Sequence, residues 1–470
     1  MKKLFKDPLL LFSISFYMIL TFTRYIYKGI FLDGSSFSSM SMNLALGKGS
    51  FWRLYYTETV SWFPDHPSLA MWLQSWAFRV FGYSTDVEDF WSVGLGFIII
   101  FLMIALWRDV NKKENKGTEW WPIFLFVLMP LVPWALTNNM LENTMTVFVL
   151  AASILMLKAL RSKKVSGIVM FSSLAAGMLW CALFSKGFQG LFPLALPFFA
   201  WLTLKDIRIK NAFSSTIMVF LVLLCLLGIT YTLGGDGFKN FVSTYMSVQI
   251  SSSLYGHREA VAHRSYLFNR FLGEIIVPLM IAFLFAMIYK IREHKNILAN
   301  NDEKKRALFF LLIALSGSLP LFFLIKQKGW YLLTSLPFYA MAVAQFFTAP
   351  TFKKIKFLNT LSIILIIISV LSITVFKNKI IKRDAEFYHD IALQNIDMPK
   401  GEFLSVCPSG LVQDWALVPL FQRNYQISLM PDTKRSYRLV EATNAACADF
   451  IKDCTMLNKE PKKYGLYKCN

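Results

Sequence analysis

About eleven stretches of this 470-residue chain are apolar for roughly 20 residues, the length a helix needs to cross the hydrocarbon of a bilayer. They fall at 8–27, 91–107, 120–137, 144–160, 166–184, 188–204, 213–233, 275–291, 307–325, 331–349 and 358–376. With 55% hydrophobic residues against 17% charged, the composition excludes a soluble globular protein. The expected fold class is an α-helical polytopic membrane protein.

The formal charge is +20, and the excess Lys and Arg lie mainly in short stretches between the apolar runs. Lys2, Lys3 and Lys6, then Arg108 and Lys112, Arg161 and Lys163, Lys205 and Arg208, Lys290 to Arg306, and Lys353 to Lys356 fall on one side if the chain starts in the cytoplasm. The opposite loops are longer and poorer in basic residues. The positive-inside rule therefore predicts a cytoplasmic amino terminus and an extracytoplasmic carboxyl-terminal segment. Charge distributed for topology leaves no basic face for nucleic acid. The first run ends in Arg24-Tyr25-Ile26-Tyr27-Lys28 without a small-x-small cleavage site, which predicts a retained signal anchor.

Two long loops fall on the outer side, at about 29–90 and 234–272. In 67–82 of the first, Leu69, Trp72, Leu73, Trp76 and Val80 recur at helical spacing, with Asp65 placed to cap the start, Pro67 suited to the first turn and Gly82 to the stop. A weaker stripe, Phe37, Met40 and Leu44, follows Asp33. Both patterns suit interfacial helices. Each carboxylate would then sit where backbone N–H groups favour an anion, either as a helix cap or as a catalytic group. Charge beside a bilayer is costly enough to suggest a task. The second loop interleaves Tyr245, Tyr255, His257, Arg258, His263, Arg264, Tyr266 and Arg270, which suits a mobile loop over a sugar phosphate or a plain interfacial loop. His66, His257 and His263 with the two Asp residues leave a divalent metal possible, although no histidine pair has i, i+4 spacing. Glu142, in the second outer turn, is placed either to touch substrate or, more simply, to be hydrated at a helix start.

The order of these features resembles the GT-C membrane glycosyltransferases, in the group of protein O-mannosyltransferases and bacterial aminoarabinose transferases. The resemblance is carried by the outer Asp33, by Asp65-His66-Pro67-Ser68-Leu69 opening an apolar helix, by Lys186-Gly187, and by Lys326-Gln327-Lys328-Gly329-Trp330-Tyr331-Leu332-Leu333 ahead of Pro337. Gly34 stands where many members have a second acid, and Ser68 where many have a second proline. The resemblance implies transfer of a sugar from a polyprenyl phosphate to a lipid, glycan or protein acceptor outside the bacterial inner membrane. It gives Asp33 and Asp65 the catalytic positions. His66, Lys186, Lys328 and Tyr331 would face the donor.

The residue types fit that chemistry on their own terms. Displacing a lipid phosphate from an anomeric carbon needs a base at the incoming hydroxyl and cations where leaving-group charge grows. Asp33 can be the base; Lys186, Arg258, Arg264 and Lys328 are the available outer cations, each also suited to lipid headgroups. One base without a covalent partner implies inversion. A transporter or flippase of lipid-linked sugars, or a glycan polymerase or ligase, is the alternative. The candidate charges cluster at one face, without repeats, which favours an enzyme.

From 377 to 470 the composition turns mixed and polar, predicting a small α/β extracytoplasmic domain after a transmembrane domain at 1–376. Strands are expected at 402–406, 425–429, 437–440 and 464–467, and helices at 411–417 and 442–453. Cys407, Cys447, Cys454 and Cys469 suggest two disulfides. A helix over 442–453 would hold Cys447 and Cys454 about 10 Å apart at 1.5 Å per residue, leaving Cys407 and Cys469 each joined to one of them.

Overall fold

The computed structural model describes all residues except 1–6, 112–116, 252–254, 256–260, 262, 294–298, 348–355, 382, 395, 397, 399, 432–434 and 470. In chain order the helices are α1 Pro8–Phe22, α2 Leu32–Ala45, α3 Leu69–Phe81, α4 Asp86–Asn111, α5 Trp120–Val127, α6 Leu131–Ala135, α7 Leu141–Arg161, α8 Val165–Lys186, α9 Leu196–Thr203, α10 Ile209–Thr244, α11 Tyr266–Glu293, α12 Asn301–Phe322, α13 Leu336–Phe346, α14 Lys356–Thr374, α15 Ala385–Asp390 and α16 Leu417–Tyr425. The chain packs as two compact units. One comprises 1–23, 65–70 and 92–371; the other comprises 24–64, 71–91 and 372–470. The boundary expected after Phe376 falls just inside the last segment of the second unit.

Among the described residues, eight helices are long and apolar enough to cross a membrane, and the protein is a multi-pass membrane protein. The other three expected spans are interrupted, each beside proline. The run at 120–137 divides into α5 and α6 around Pro130, and the Leu131 N–H left outside a helical ladder donates to the Glu274 carboxylate at 2.7 Å. The run at 188–204 starts as a 3₁₀ helix, Phe188–Ala195, containing Pro193. The run at 331–349 starts as another, Gly329–Ser335, ahead of Pro337 in the first turn of α13. Backbone of this kind survives at membrane depth only inside protein or along a cavity.

In the first unit, α7 packs along α8 and is buried over most of its length. Trp107 stacks on Phe310 at 6.2 Å, and the hydroxyls of Ser172 and Ser215 bond between α8 and α10 at 2.9 Å. Phe220 and Leu221 on α10, Phe283 and Leu284 on α11, and Ile363 and Ile367 on α14 are exposed, as lipid-facing positions require. The expected second outer loop is largely helical. Gly235, at φ +54°, breaks α10, but helix resumes to Thr244 and passes into a π-helical turn at Tyr245–Ser251.

In the second unit, α2 is buried from Gly34 to Leu44, so the stripe Phe37, Met40 and Leu44 is joined by a buried face of five serines. Those serines satisfy themselves locally: Ser36, Ser39 and Ser41 each donate to the carbonyl four residues back. Ser39 also reaches the Pro419 carbonyl, and Asn43 accepts from Gln422, seating α2 against α16. By contrast, α3 leaves Trp76 and Val80 of its expected stripe exposed, together with Phe81, while Leu69 is buried.

Two short strands, β1 Tyr27–Lys28 and β4 Ile380–Ile381, pair in parallel, and β2 Gly49–Ser50 pairs with β3 Arg53–Leu54. The main sheet runs β6-β5-β7-β9-β8, from β5 Phe403–Cys407, β6 Ser428–Pro431, β7 Tyr437–Glu441, β8 Cys454–Met456 and β9 Tyr464–Cys469. Here three local expectations are corrected. The helix expected at 411–417 is a 3₁₀ turn at Ser409–Gln413, and the α-helix follows at Leu417–Tyr425, because Asp414 accepts from the N–H groups of Ala416 and Leu417 and starts it there. That helix occupies Tyr425 and moves the next strand to Ser428–Pro431. The helix expected at 442–453 is two 3₁₀ turns, Ala445–Cys447 and Asp449–Ile451, the first capped by Asn444. The disulfides are Cys407–Cys447 and Cys454–Cys469, one of the two pairings left open, although the helix invoked to exclude the third is not formed. Cys454 and Cys469 face each other across β8 and β9.

Arg423 on α16 is clamped against the start of α4. Its guanidinium makes a bidentate pair with Glu88 at 3.0 and 2.7 Å and donates to the carbonyls of Tyr83 and Ser84, with both charged side chains buried. Nearby, Lys377 bridges Asp86 at 2.6 Å and Asp89 at 2.7 Å. Arg423→Ala would strand a buried carboxylate and should cost about 3–5 kcal/mol, read as a lower thermal midpoint in detergent. Lys205→Ala, at the exposed and solvent-screened pair with Asp302, should leave the midpoint nearly unchanged. Equal midpoints for the two variants would contradict this assignment.

Candidate functional site

Packed side by side as a helical hairpin, α7 and α8 bring the first turn of one beside the last turn of the other. Glu142 stands in that first turn and Lys186 is the last residue of α8, so each charge has the sign its helix terminus favours. Glu142 Oε1 lies 3.0 Å from Lys186 Nζ, and both side chains are almost wholly shielded from solvent. The hydrated Glu142 expected from the sequence is instead a buried ion-pair partner. No local pattern reveals this, because the partner is supplied by the next helix.

Directly after Lys186 the chain must turn sharply. Gly187 adopts φ +125° and ψ −164°, a region essentially restricted to glycine, and a Cβ there would lie 2.3 Å from the Tyr245 hydroxyl. The following 3₁₀ helix then folds back on α8, where a Cβ on Gly190 would strike the Ala182 backbone at 2.8 Å. From this turn Gln189 donates to the Tyr331 carbonyl and to Thr334 Oγ1 at 3.0 Å, fastening one 3₁₀ segment to the other. Lys186 Nζ lies 5.8 Å from the centroid of the Tyr331 ring.

The approach to the second 3₁₀ segment is held by Gln327, which is 1% exposed. Its amide accepts from the Leu267 N–H at 3.0 Å and donates to the carbonyls of Phe322 and Leu324. Lys326 and Lys328 flank this anchor. Lys328 lies over Trp330, which stacks on Trp134. The sequence gives no role to Gln189, nor to Lys326 and Gln327 within their motif. A glutamine between two lysines carries no periodicity that marks it as buried.

His66 belongs to the same unit. The chain bends at Asp65 and His66, and α3 starts at Leu69. Ser68, the residue that adjoins the helix, is buried. Burial, and then the charges of Lys186 and Lys326, hold the His66 imidazole well below its ordinary range, so it is neutral at pH 7. Asp65 and His66 are both partly buried. Arg264 is exposed and donates to the Leu324 carbonyl at 3.4 Å, and His263 is exposed. His257 and Arg258 lie outside the described residues. Among the described residues, no group of three His, Cys, Asp or Glu side chains could hold a metal ion.

Asp33 lies in the second unit, partly buried, in the first turn of α2 behind Phe31, which offers no side-chain cap. The neighbouring phenol of Tyr56 is raised above its usual range by burial and by the Asp33 charge. Tyr56 meets Ser36 Oγ at 3.2 Å and stacks on Trp415.

No family model and no curated protein sequence matches the chain. Among solved structures, ArnT from Cupriavidus metallidurans bound to undecaprenyl phosphate matches it with a TM-score of 0.64 at 10% identity, covering 97% of each chain. The chain has an ArnT-like fold. The apo state of that ArnT matches equally, at 0.64 and 11% identity. The oligosaccharyltransferase of Archaeoglobus fulgidus matches with a TM-score of 0.48 at 11% identity, over 90% of this chain and 64% of that one.

Two measurements check the geometry of this site. Gly187→Ala should lower the thermal midpoint, with about 1–3 kcal/mol from backbone strain alone. Adding Tyr245→Phe, which removes the obstructing oxygen, should restore only the remainder. An unchanged midpoint in Gly187→Ala would contradict the turn. For His66, the unfolded state takes up a proton near pH 6.5 while the folded state resists it. Stability should therefore fall as pH drops below about 6.5, and His66→Asn should make that fall shallower. A profile identical to wild type would contradict the electropositive surroundings assigned to His66.

Proposed function

We propose that this protein is a membrane glycosyltransferase that moves a sugar from a polyprenyl-phosphate donor to a hydroxyl or phosphate acceptor, on the extracytoplasmic face of a bacterial inner membrane. The observation that carries this reading is the buried Lys186 ammonium, held by Glu142 beside the Tyr331 ring within an ArnT-like fold, where a departing lipid phosphate would need cations. The bound undecaprenyl phosphate of that ArnT structure supports a donor of the same class. The basic residues expected inside support the orientation.

In this scheme Asp33 takes the proton from the acceptor hydroxyl as its oxygen attacks the anomeric carbon. The bond from that carbon to the phosphate oxygen breaks, and its electron pair leaves with the lipid phosphate. Lys186, Lys326 and Lys328 receive the growing negative charge, and Tyr331 flanks Lys186. A single displacement inverts the anomeric centre. Asp65 is proposed to orient a substrate hydroxyl, and Arg264, with Arg258, to meet the donor from the segment before α11. Retaining Glu142 beside Lys186 offsets the cost of burying an ammonium.

Cells lacking the protein should accumulate one polyprenyl-phosphate sugar in a profile of lipid-linked sugars. In purified protein, Asp33→Asn should bind that donor normally and lose turnover by about 10²–10⁴-fold, the usual contribution of a general base. Near-normal turnover in a folded Asp33→Asn variant would remove Asp33 from this role.

A further inference from the structure

The second unit contains a cavity of about 350 Å³ lined by Lys48, Gly49, Tyr55, Glu58, Gly401, Phe403, Gln426 and Ser428, none of which the transfer scheme uses. One wall hangs from the β2–β3 hairpin. Gly49 sits at φ +80°, and a Cβ there would meet the Arg53 carbonyl at 2.7 Å and the Tyr55 nitrogen at 2.8 Å, so this tight crossing needs glycine. The Tyr55 hydroxyl donates to Glu58 Oε2 at 2.7 Å, and the Glu58 N–H donates to Ser428 Oγ at 3.0 Å, tying that wall to β6. The other wall comes from the edge of the main sheet, where Phe403 and Ser428 are register partners. Gln426, which ends α16, holds φ +58°, a conformation in which glycine would be the unstrained choice.

The lining narrows the ligand class. Lys48 is balanced by Glu58, so the cavity has no excess charge to recognise phosphate. A wholly apolar ligand would face the Lys48 ammonium and the Gln426 amide with nothing to bond. A pyranose satisfies both demands, with C–H faces for the Tyr55 and Phe403 rings and hydroxyls that donate to Glu58 and accept from Lys48 and Gln426. The volume lies near the lower end of small-molecule sites, room for a ligand of one ring. We propose that this cavity binds one sugar ring of the acceptor, a saccharide site separate from the donor cations. The word acceptor rests on the transfer reading above; the sugar-binding claim does not.

The test uses the full chain in a detergent without a sugar headgroup and saturation-transfer NMR with methyl glycosides of glucose, galactose, mannose and N-acetylglucosamine. At least one should receive saturation, and inorganic phosphate should fail to displace it. Tyr55→Ala and Gln426→Gly should each weaken binding about tenfold or more, the loss of a good polar or stacking contact. Gln426→Gly should keep or raise the thermal midpoint, which separates lost binding from lost folding. No saturation of any glycoside, displacement by phosphate, or wild-type binding in both variants would overturn the proposal. Donor-dependent transfer measured on the same preparation separates the two readings. Transfer without glycoside binding rejects this cavity alone, and glycoside binding without transfer rejects the transferase reading while leaving the sugar site standing.

Discussion

A lysine ammonium and a glutamate carboxylate, 3.0 Å apart and shielded from water, organise the first unit of this protein. Neither charge is tolerable alone in such a place, and losing one partner of a buried pair typically costs about 3–5 kcal/mol. The pair exists because α7 starts where α8 ends. Each helix terminus adds a partial charge of the sign its residue prefers, so one hairpin supplies both the partner and the field. The surrounding 3₁₀ segments, the Gly187 turn and the Gln189 bridge are then consequences of packing backbone around a charged centre that lipid cannot solvate.

The interruptions in the expected spans follow from the same constraint. A helix satisfies its own backbone and can face lipid anywhere, as α10, α11 and α14 do with their exposed apolar side chains. A 3₁₀ segment cannot be left so exposed, and both of these are anchored by glutamines whose amides bond main-chain groups. Irregular backbone is therefore kept where side chains of the same unit can bond it. In the second unit a different solution serves the same need. A serine-rich helix is buried through back-bonding to its own turns, and ion pairs to Arg423 and Lys377 hold the start of α4.

Much of the membrane architecture was legible because hydrocarbon imposes one length and one composition on every span. The positions of α7, α8 and α12 follow from apolar runs alone, and the stop of α3 at Gly82 follows from glycine's freedom at positive φ. Lys186-Gly187 was legible as a motif, but its glycine is explained by a backbone turn at φ +125° and by Tyr245, a residue distant in sequence. Errors concentrated in the carboxyl-terminal segment. There short polar stretches offer several competing caps, and Asp414 and Asn444 decide the outcome over the weak periodicity of 411–417 and 442–453. Glu142, Gln189 and Gln327 were hidden for a common reason: a polar residue beside an apolar run reads as solvated unless its distant partner is known.

The central claim is that the buried Lys186–Glu142 pair belongs to a phosphate-binding centre rather than serving stability alone. Replacing both together, as Lys186→Met with Glu142→Leu, removes the charges as a unit and should leave folding nearly intact, since buried pairs are often exchangeable for apolar residues of similar size. Native mass spectrometry of purified protein with undecaprenyl phosphate then reads binding directly. The account predicts a folded double variant that no longer retains the lipid phosphate, and a folded variant binding it as wild type does would contradict it.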